Sequence, residues 1–255
     1  MSHKSIAVRT HGAIGSGLLG ATGAQASYIT FWRNYPMQPR LRFLISGLLA
    51  ALVFGAGYCV AVVVPGAGDT TVHDYTSFYA SDSRMTAASL LFVALIVGSL
   101  LMLWFFTELR AQLPDGLLVR VAYGAAVVGV VALPVGASIL GGPAGAQQNA
   151  VGGFVGVPVA AAFAEAGLGI MLGLGMGGFA VATLLMSIAA HRSALFPKWL
   201  AVLGGALGVI GLASYFWIPG LAIVLWVLVT GVTLGTHAQL SDAPASVLVP
   251  QTGGA

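Results

Sequence analysis

The chain is 255 residues long, and 58% of its residues are hydrophobic while only 7% are charged. A soluble domain carries about 25% charged residues, so this composition excludes an ordinary water-soluble globule and predicts that lipid surrounds most of the chain. The formal net charge of +3 is small, and no nucleic-acid partner is expected. Cys59 is the single cysteine, so no intramolecular disulfide is expected.

Six apolar stretches are long enough to cross a bilayer as helices, since about 20 residues span the hydrocarbon core. They are continuously apolar, whereas the strands of a membrane barrel alternate. A helix also satisfies its own backbone hydrogen bonds in lipid. We therefore predict an all-α polytopic protein, a glycine-rich bundle of six transmembrane helices at residues 41–64, 85–107, 117–140, 158–190, 199–216 and 218–235.

The positions of lysine and arginine predict the orientation, because these residues mark the cytoplasmic side of short flanking segments. With six spans, only Arg84 falls on the outer side. Both termini are then cytoplasmic, in a bacterial inner membrane. Trp104 and Trp199 lie at predicted inner ends, where tryptophan favours the headgroup level. The basic residues on the predicted inner side are Lys4, Arg9, Arg33, Arg40, Arg42, Arg110, Arg120, Arg192 and Lys198.

The predicted organisation is an extension at residues 1–40, a membrane domain at residues 41–236 and a tail at residues 237–255. The extension contains Ala24-Gln25-Ala26, which is similar to a signal cleavage site. Cleavage there would place the following arginines outside, so we interpret the segment as an uncleaved cytoplasmic or interfacial extension. Its GSGLLG sequence matches a dinucleotide fingerprint by letters only, with no preceding strand, and no cofactor is predicted.

Glycines at four-residue spacing predict where the helices touch, because helices in lipid associate through close backbone approach. The fourth, fifth and sixth spans each carry such a series, and we expect these spans to form one packed unit. Gly129 and Gly136, with Pro134, predict a kinked third span packed nearby. The predicted packing glycines are Gly169, Gly173, Gly177, Gly204, Gly208, Gly231 and Gly235.

Glu165 is the one carboxylate inside a long apolar, glycine-rich run. Counting about 20 residues outward from Ala190 reaches only Met171, which places Glu165 near the outer interface. The alternative is a carboxylate facing a cavity between helices, since an intramembrane acid is by default a candidate functional group. Arg120 and Tyr123 are further candidate binding residues. The long side chain of Arg120 is expected to reach the inner headgroups.

The sequence contains no recognised metal-binding or catalytic motif. Asp69, His73, Asp74 and Asp82 in the outer loop have no recognised metal-ligand spacing, and Asp82 or Ser83 is expected to cap the following helix. His191 and His237 lie at span ends, beside helix carbonyls. Neither a His-Glu-x-x-His motif nor a Gly-x-Ser-x-Gly motif occurs. We predict no metal site, no cofactor and no enzymatic activity.

Three segments, FYASDSRMTAASLLFVALIVGSLLMLWFFTELRAQL, LFPKWLAVLGGALGVIGLASYF and LWVLVTGVTL, resemble an uncharacterised group of six-helix bacterial integral membrane proteins. A Phe-Tyr/Asp-Ser-Arg-like entry to the second span and a Pro-Arg/Lys-Trp-Leu entry to the fifth carry the similarity. It covers about residues 75–234. The resemblance implies the six-span architecture and carries no known activity or site residues.

Two functions fit these features. The first is a non-enzymatic accessory or interaction subunit of a larger membrane complex, which predicts association with another membrane protein or with itself. The alternative is a small transporter or permeation path for an apolar or weakly polar molecule, with Glu165 and Tyr123 lining a cavity. A membrane-embedded enzyme would require Glu165, Arg120 and His191 to converge, although the predicted topology places Glu165 and His191 near opposite surfaces.

Overall fold

The computed structural model describes residues 38–59, 64, 72–149, 156–213 and 219–236, with backbone only at Val72 and at residues 144–149. The predicted tail, and the predicted extension up to residue 37, lie outside the described residues. So do Asp69 and His237.

The described residues are helical and include no strand, which confirms the all-α prediction. We number the helices α1 to α7 in chain order. Helices α1 and α5 each contain a wider π-helical segment, at Ala50–Phe54 and Gly169–Met176 respectively. The helices are α1 Pro39–Tyr58, α2 Val72–Tyr79, α3 Asp82–Gln112, α4 Leu117–Asn149, α5 Val157–Arg192, α6 Lys198–Gly211 and α7 Gly220–Thr236.

Four helices are long and apolar enough to cross a membrane: α1, α3, α4 as far as Pro143, and α5. Helices α6 and α7 are also apolar but have 14 and 17 residues, fewer than the roughly 20 that a span normally takes. Long apolar helices of this kind are those of a multi-pass, membrane-embedded protein.

The start of α3 shows how local chemistry sets a helix boundary. The hydroxyl of Ser81 accepts a hydrogen bond from the backbone N–H of Arg84 at 3.4 Å, so Ser81 is the N-cap. The predicted caps, Asp82 and Ser83, instead lie in the first turn. There the carboxylate of Asp82 is placed favourably near the positive end of the helix dipole.

Adjacent helices run antiparallel, as their close contacts show. A Cβ added to Gly57 in α1 would meet the backbone of Leu95 in α3, and one added to Gly98 would meet the backbone of Phe54. In the same way, α4 and α5 meet through Gly136 opposite Gly167 and through Gly129 opposite Gly178. The predicted packing of the third span through Gly129 and Gly136 is therefore confirmed.

This arrangement brings the start of α1, the end of α3, the start of α4, the end of α5 and the start of α6 to one end of the bundle. We call it the basic end. Of the seven lysines and arginines in the described residues, Arg84 alone lies elsewhere, at the start of α3. The basic end carries Arg40, Arg42, Arg110, Arg120, Arg192 and Lys198.

A continuous series of buried aromatic rings fills the middle of the bundle, and we call it the aromatic column. Ring centroids of successive members lie between 5.7 and 6.5 Å apart. These separations suit edge-to-face and offset stacking, which add to the packing energy. The column contains Tyr58, Phe54, Phe179, Phe106, Phe105, Trp226, Phe43 and Phe196, all of them buried.

Four of the predicted packing glycines are in close contact. A Cβ added to Gly208 would lie 2.8 Å from the backbone N of Leu184, and one added to Gly204 would meet Ser187 and Trp226. A Cβ added to Gly231 would lie 2.7 Å from Gly47 Cα, and one added to Gly235 would lie 2.8 Å from Leu44 Cβ. Helix α6 therefore packs against both α5 and α7, as predicted for the fourth, fifth and sixth spans, and α7 in addition uses its glycines against α1, which was not predicted.

The predicted contacts of Gly169, Gly173 and Gly177 with the other helices are not found, because a Cβ added at any of them would have no neighbour within 4 Å among the described residues. The glycine-rich run offers two faces, and spacing alone does not select one. Helix α4 packs instead against the face that carries Gly167, Gly175 and Gly178.

Adjacent glycines in α5 provide a matched test of close packing. A Cβ added to Gly178 would lie 2.7 Å from Ala125 O, while one added to Gly177 would meet nothing. We expect Gly178→Ala to lower the free energy of unfolding by about 1–3 kcal/mol through overpacking. Gly177→Ala should be neutral or stabilise by up to about 1 kcal/mol, because alanine favours the helix. Thermal unfolding in detergent measures both, and equal melting temperatures would contradict the packing.

Candidate functional site at the basic end

Glu108 is a carboxylate in the last turns of α3, with a side chain that is only 15% exposed. Its Oε1 atom lies 3.7 Å from Nη1 of Arg42 in α1 and accepts a hydrogen bond of 3.2 Å from the indole N–H of Trp104. An acid in an apolar helix is costly unless it is paired. The ion pair therefore ties the start of α1 to the end of α3.

A pocket of about 320 Å³ opens beside this pair, where α3 turns into α4. It combines apolar and hydrogen-bonding side chains. Leu113 and Val119 are buried, while Arg110 and Asp115 are exposed. The lining residues are Thr107, Arg110, Ala111, Leu113, Asp115, Val119 and Tyr123.

The hydrogen-bond directions on one wall of the pocket can be assigned. The hydroxyl of Thr107 donates to Leu103 O at 2.7 Å, which uses its only hydrogen. The hydroxyl of Tyr123, 3.3 Å from Thr107 Oγ1, must then be the donor of that pair. The guanidinium of Arg110 lies over the Tyr123 ring, with its Cζ 4.6 Å from the ring centroid in a cation–π contact.

Asp115 and Arg120 form an ion pair at the mouth of the pocket. Nε of Arg120 donates to Oδ1 of Asp115 at 3.0 Å, and Nη2 donates to Oδ2 at 2.6 Å, so the pair is bidentate. The hydrogen bond from Arg120 lowers the pKa of the Asp115 carboxyl from its ordinary value, and the charge of Arg110 acts in the same direction. Asp115 is therefore a carboxylate at neutral pH, with its charge largely compensated.

Of the three predicted binding residues, the structure brings two together. Tyr123 lines the pocket, and Arg120 holds Asp115 at the same pocket. The Arg120 side chain is 65% exposed near the start of α4.

Glu165 lies far from these two. The neighbouring Gly167 packs beside Leu140 of α4, which is about 25 Å along the helix axis from Tyr123. Glu165 is exposed. His191, in the last turn of α5, is roughly 35–40 Å along that helix from Glu165, so Glu165, Arg120 and His191 do not converge.

Glu108 is not predicted from the sequence as a paired group, because its proximity to Arg42 requires the packing of α1 on α3. A buried polar stripe is likewise not predicted. Two helices each contribute to it residues four apart, Thr183 and Ser187 from α5 and Trp226 and Thr230 from α7. None of their side-chain polar atoms has a hydrogen-bond partner among the described residues. Hydroxyl residues at four-residue spacing within apolar runs are the signal that predicts such a stripe.

The segment between α1 and α3 is only partly described. His73 and Asp74 are exposed on the short helix α2, and burial raises the pKa of the nearby Tyr79 to about 12. Within the described ranges no three histidine, cysteine, aspartate or glutamate side chains are grouped as metal ligands.

Fold and site together define a multi-pass helical protein whose ion pairs and described pocket lie at one end of the bundle. Comparison with protein-family models, curated proteins and solved structures finds no match to this chain. The resemblance to the six-helix bacterial group stays a prediction.

The ion pair between Asp115 and Arg120 predicts how the pKa of Asp115 responds to a substitution. Because the folded-state pKa of Asp115 is lowered, its stabilising effect is present above the ordinary aspartate pKa of about 4 and is lost as the pH falls through the folded-state value. Arg120→Gln should raise the pKa of Asp115, measured by NMR of ¹³C-labelled carboxyl groups. Arg192→Gln at the same end is the control, and an unchanged pKa in Arg120→Gln would contradict the assignment.

Neutralising each of the two carboxylates of the apolar helices should change the stability by different amounts. Glu108→Gln should lower the free energy of unfolding by about 1 kcal/mol, because Arg42 loses its counter-charge at a partly exposed site. Glu165→Gln should change it by less than about 0.5 kcal/mol, since its side chain is exposed. Equilibrium unfolding in mixed detergent micelles compares them, and the reverse order would disprove the structural role of Glu108.

Proposed function

We propose that the protein is a non-enzymatic integral membrane protein that acts as an accessory or interaction subunit of a larger membrane complex. The aromatic column carries the proposal. A transport path or an internal active site needs space between helices, whereas here stacked rings fill the centre of the bundle from Tyr58 to Phe43. A bundle with a filled centre acts through its outer surface.

The outer surface of α5 supports the same function. In the part of the chain that the structure describes, Gly169, Gly173 and Gly177 have no neighbour within 4 Å of an added Cβ, although this spacing suits close approach of a second helix. Glu165 lies one turn earlier and is exposed, and Leu174 beside the glycines is 59% exposed. We call Glu165, Gly169, Gly173 and Gly177 the open stripe. It offers a helix of another membrane protein, or of a second copy, a place to pack.

The same proposal includes six spans, with α6 and α7 as the fifth and sixth, in a bacterial inner membrane. The charge distribution supports cytoplasmic termini, because all described lysines and arginines except Arg84 lie at the basic end. The alternative, a small transporter that uses Glu165, is less well supported, since Glu165 is exposed and lies far from the pocket.

A bulky residue on the open stripe tests the proposal. Gly173→Ile should block helix association, because it fills the space that a partner helix would occupy. Gly205→Ile in α6 is the matched control, since an added Cβ there also meets nothing within 4 Å. Native mass spectrometry of the protein, released gently from its own membrane, measures the masses of the molecules that remain bound to it.

The expected result is a partner protein or second copy bound to the wild type and to Gly205→Ile, and absent from Gly173→Ile. A wild type released alone would contradict the interaction function. A partner retained equally by both variants would place the interface elsewhere and remove the open stripe from the proposal.

A further inference from the structure

The pocket between α3 and α4 lies at the level where lipid headgroups are expected. Trp104 precedes Thr107 by about one helical turn, and Trp199 stands beside Lys198 at the start of α6. Tryptophan is enriched at the membrane–water interface, and basic side chains gather there on one face of the membrane. Both markers occur at the basic end, so the pocket is open to headgroups rather than to acyl chains.

We propose that this pocket binds the phosphate of an anionic phospholipid headgroup, with Arg110 as its principal ligand. The guanidinium of Arg110 rests on the Tyr123 ring, 4.6 Å from its centroid. A stacked guanidinium keeps its N–H donors in its own plane and free to form two parallel bonds to phosphate oxygens. Holding the side chain in advance also reduces the entropy lost on binding.

Tyr123 acts in this site as a platform. Its hydroxyl donates to Thr107, whose own hydrogen goes to Leu103 O, so the two hydroxyls fix the ring rather than contact an anion. Replacing the hydroxyl therefore has less effect than replacing the ring.

The charge of the pocket suits a monoanion. Asp115 would repel a phosphate if it stood alone, but the bidentate ion pair with Arg120 compensates its charge. With Arg110 the three side chains sum to one positive charge. Glu108, the next acid on α3, is engaged by Arg42 and Trp104 and does not line the pocket.

The apolar wall favours a lipid over a free phosphate. Ala111, Leu113 and Val119 line the remainder of the pocket, and the last two are buried. These side chains offer contact to the carbon atoms next to a headgroup phosphate, which inorganic phosphate lacks. Basic pockets between spanning helices on the cytoplasmic side bind anionic headgroups in this way.

The test uses the full-length protein, freed of native lipid in detergent and titrated with phosphatidylglycerol or phosphatidylcholine. Native mass spectrometry counts the bound lipids. Arg110→Gln should weaken phosphatidylglycerol binding by about tenfold or more and leave phosphatidylcholine binding unchanged. Arg110→Lys should give an intermediate affinity, because it keeps the charge and loses the planar fork.

Two matched variants separate the site from general charge and from the fold. Arg192→Gln removes one positive charge from the same end, outside the pocket, and should leave the affinity within about twofold of the wild type. Tyr123→Leu should weaken binding more than Tyr123→Phe, since only the former removes the stacking platform.

Equal losses in Arg110→Gln and Arg192→Gln would overturn the site, because they would reflect net charge alone. Glycerol 1-phosphate serves as a soluble competitor. Displacement of phosphatidylglycerol by an equimolar amount of it would overturn the lipid assignment in favour of a free phosphate ester. Resistance to that competitor, with loss of binding in Arg110→Gln, is the result that we expect.

Discussion

Close approach of helix backbones is the interaction on which this structure depends. Lipid tails are as apolar as leucine, so burying apolar side chains gives spanning helices little reason to associate, and contact must come from packing at short range. Here α1 meets α3 at Gly57 and Gly98, and it meets α7 at Gly47 and Gly231. A methyl group at most of these positions would collide with backbone atoms, which cannot move aside as the end of a side chain can.

Large aromatic rings fill the centre of the bundle between the glycine contacts. The rings of Phe54 on α1, Phe106 on α3 and Phe179 on α5 reach one another across the centre of the bundle. Trp226 extends the same series toward the basic end. The Glu108–Arg42 pair and the pocket of Arg110 and Tyr123 lie outside this series of rings, at the basic end. The proposed interaction function and the proposed lipid site therefore use different outer surfaces.

The two carboxylates of the apolar helices show why depth and neighbours decide the role of a charged group in a membrane protein. Glu165 is conspicuous in the sequence because nothing polar surrounds it, yet its side chain is exposed near the start of α5. Glu108 is inconspicuous because it lies close to Arg110 at the end of a span, yet it is the less exposed of the two and is paired across helices. The absence of polar neighbours in the sequence does not predict whether a carboxylate is buried, since burial depends on which face the neighbouring helix covers.

The sequence by itself determined the helical class, the apolar stretches and the charge asymmetry, because continuous apolar runs and the spacing of basic residues are properties of the chain alone. It also identified Gly204, Gly208, Gly231 and Gly235 as contact points, and Tyr123 as a candidate binding residue. Only the tertiary structure decided which of two glycine faces of α5 touches α4, and that α7 packs against α1. Helical periodicity defines faces but not partners, so the selection of Gly167, Gly175 and Gly178 over Gly169, Gly173 and Gly177 had to come from the helix that packs against them.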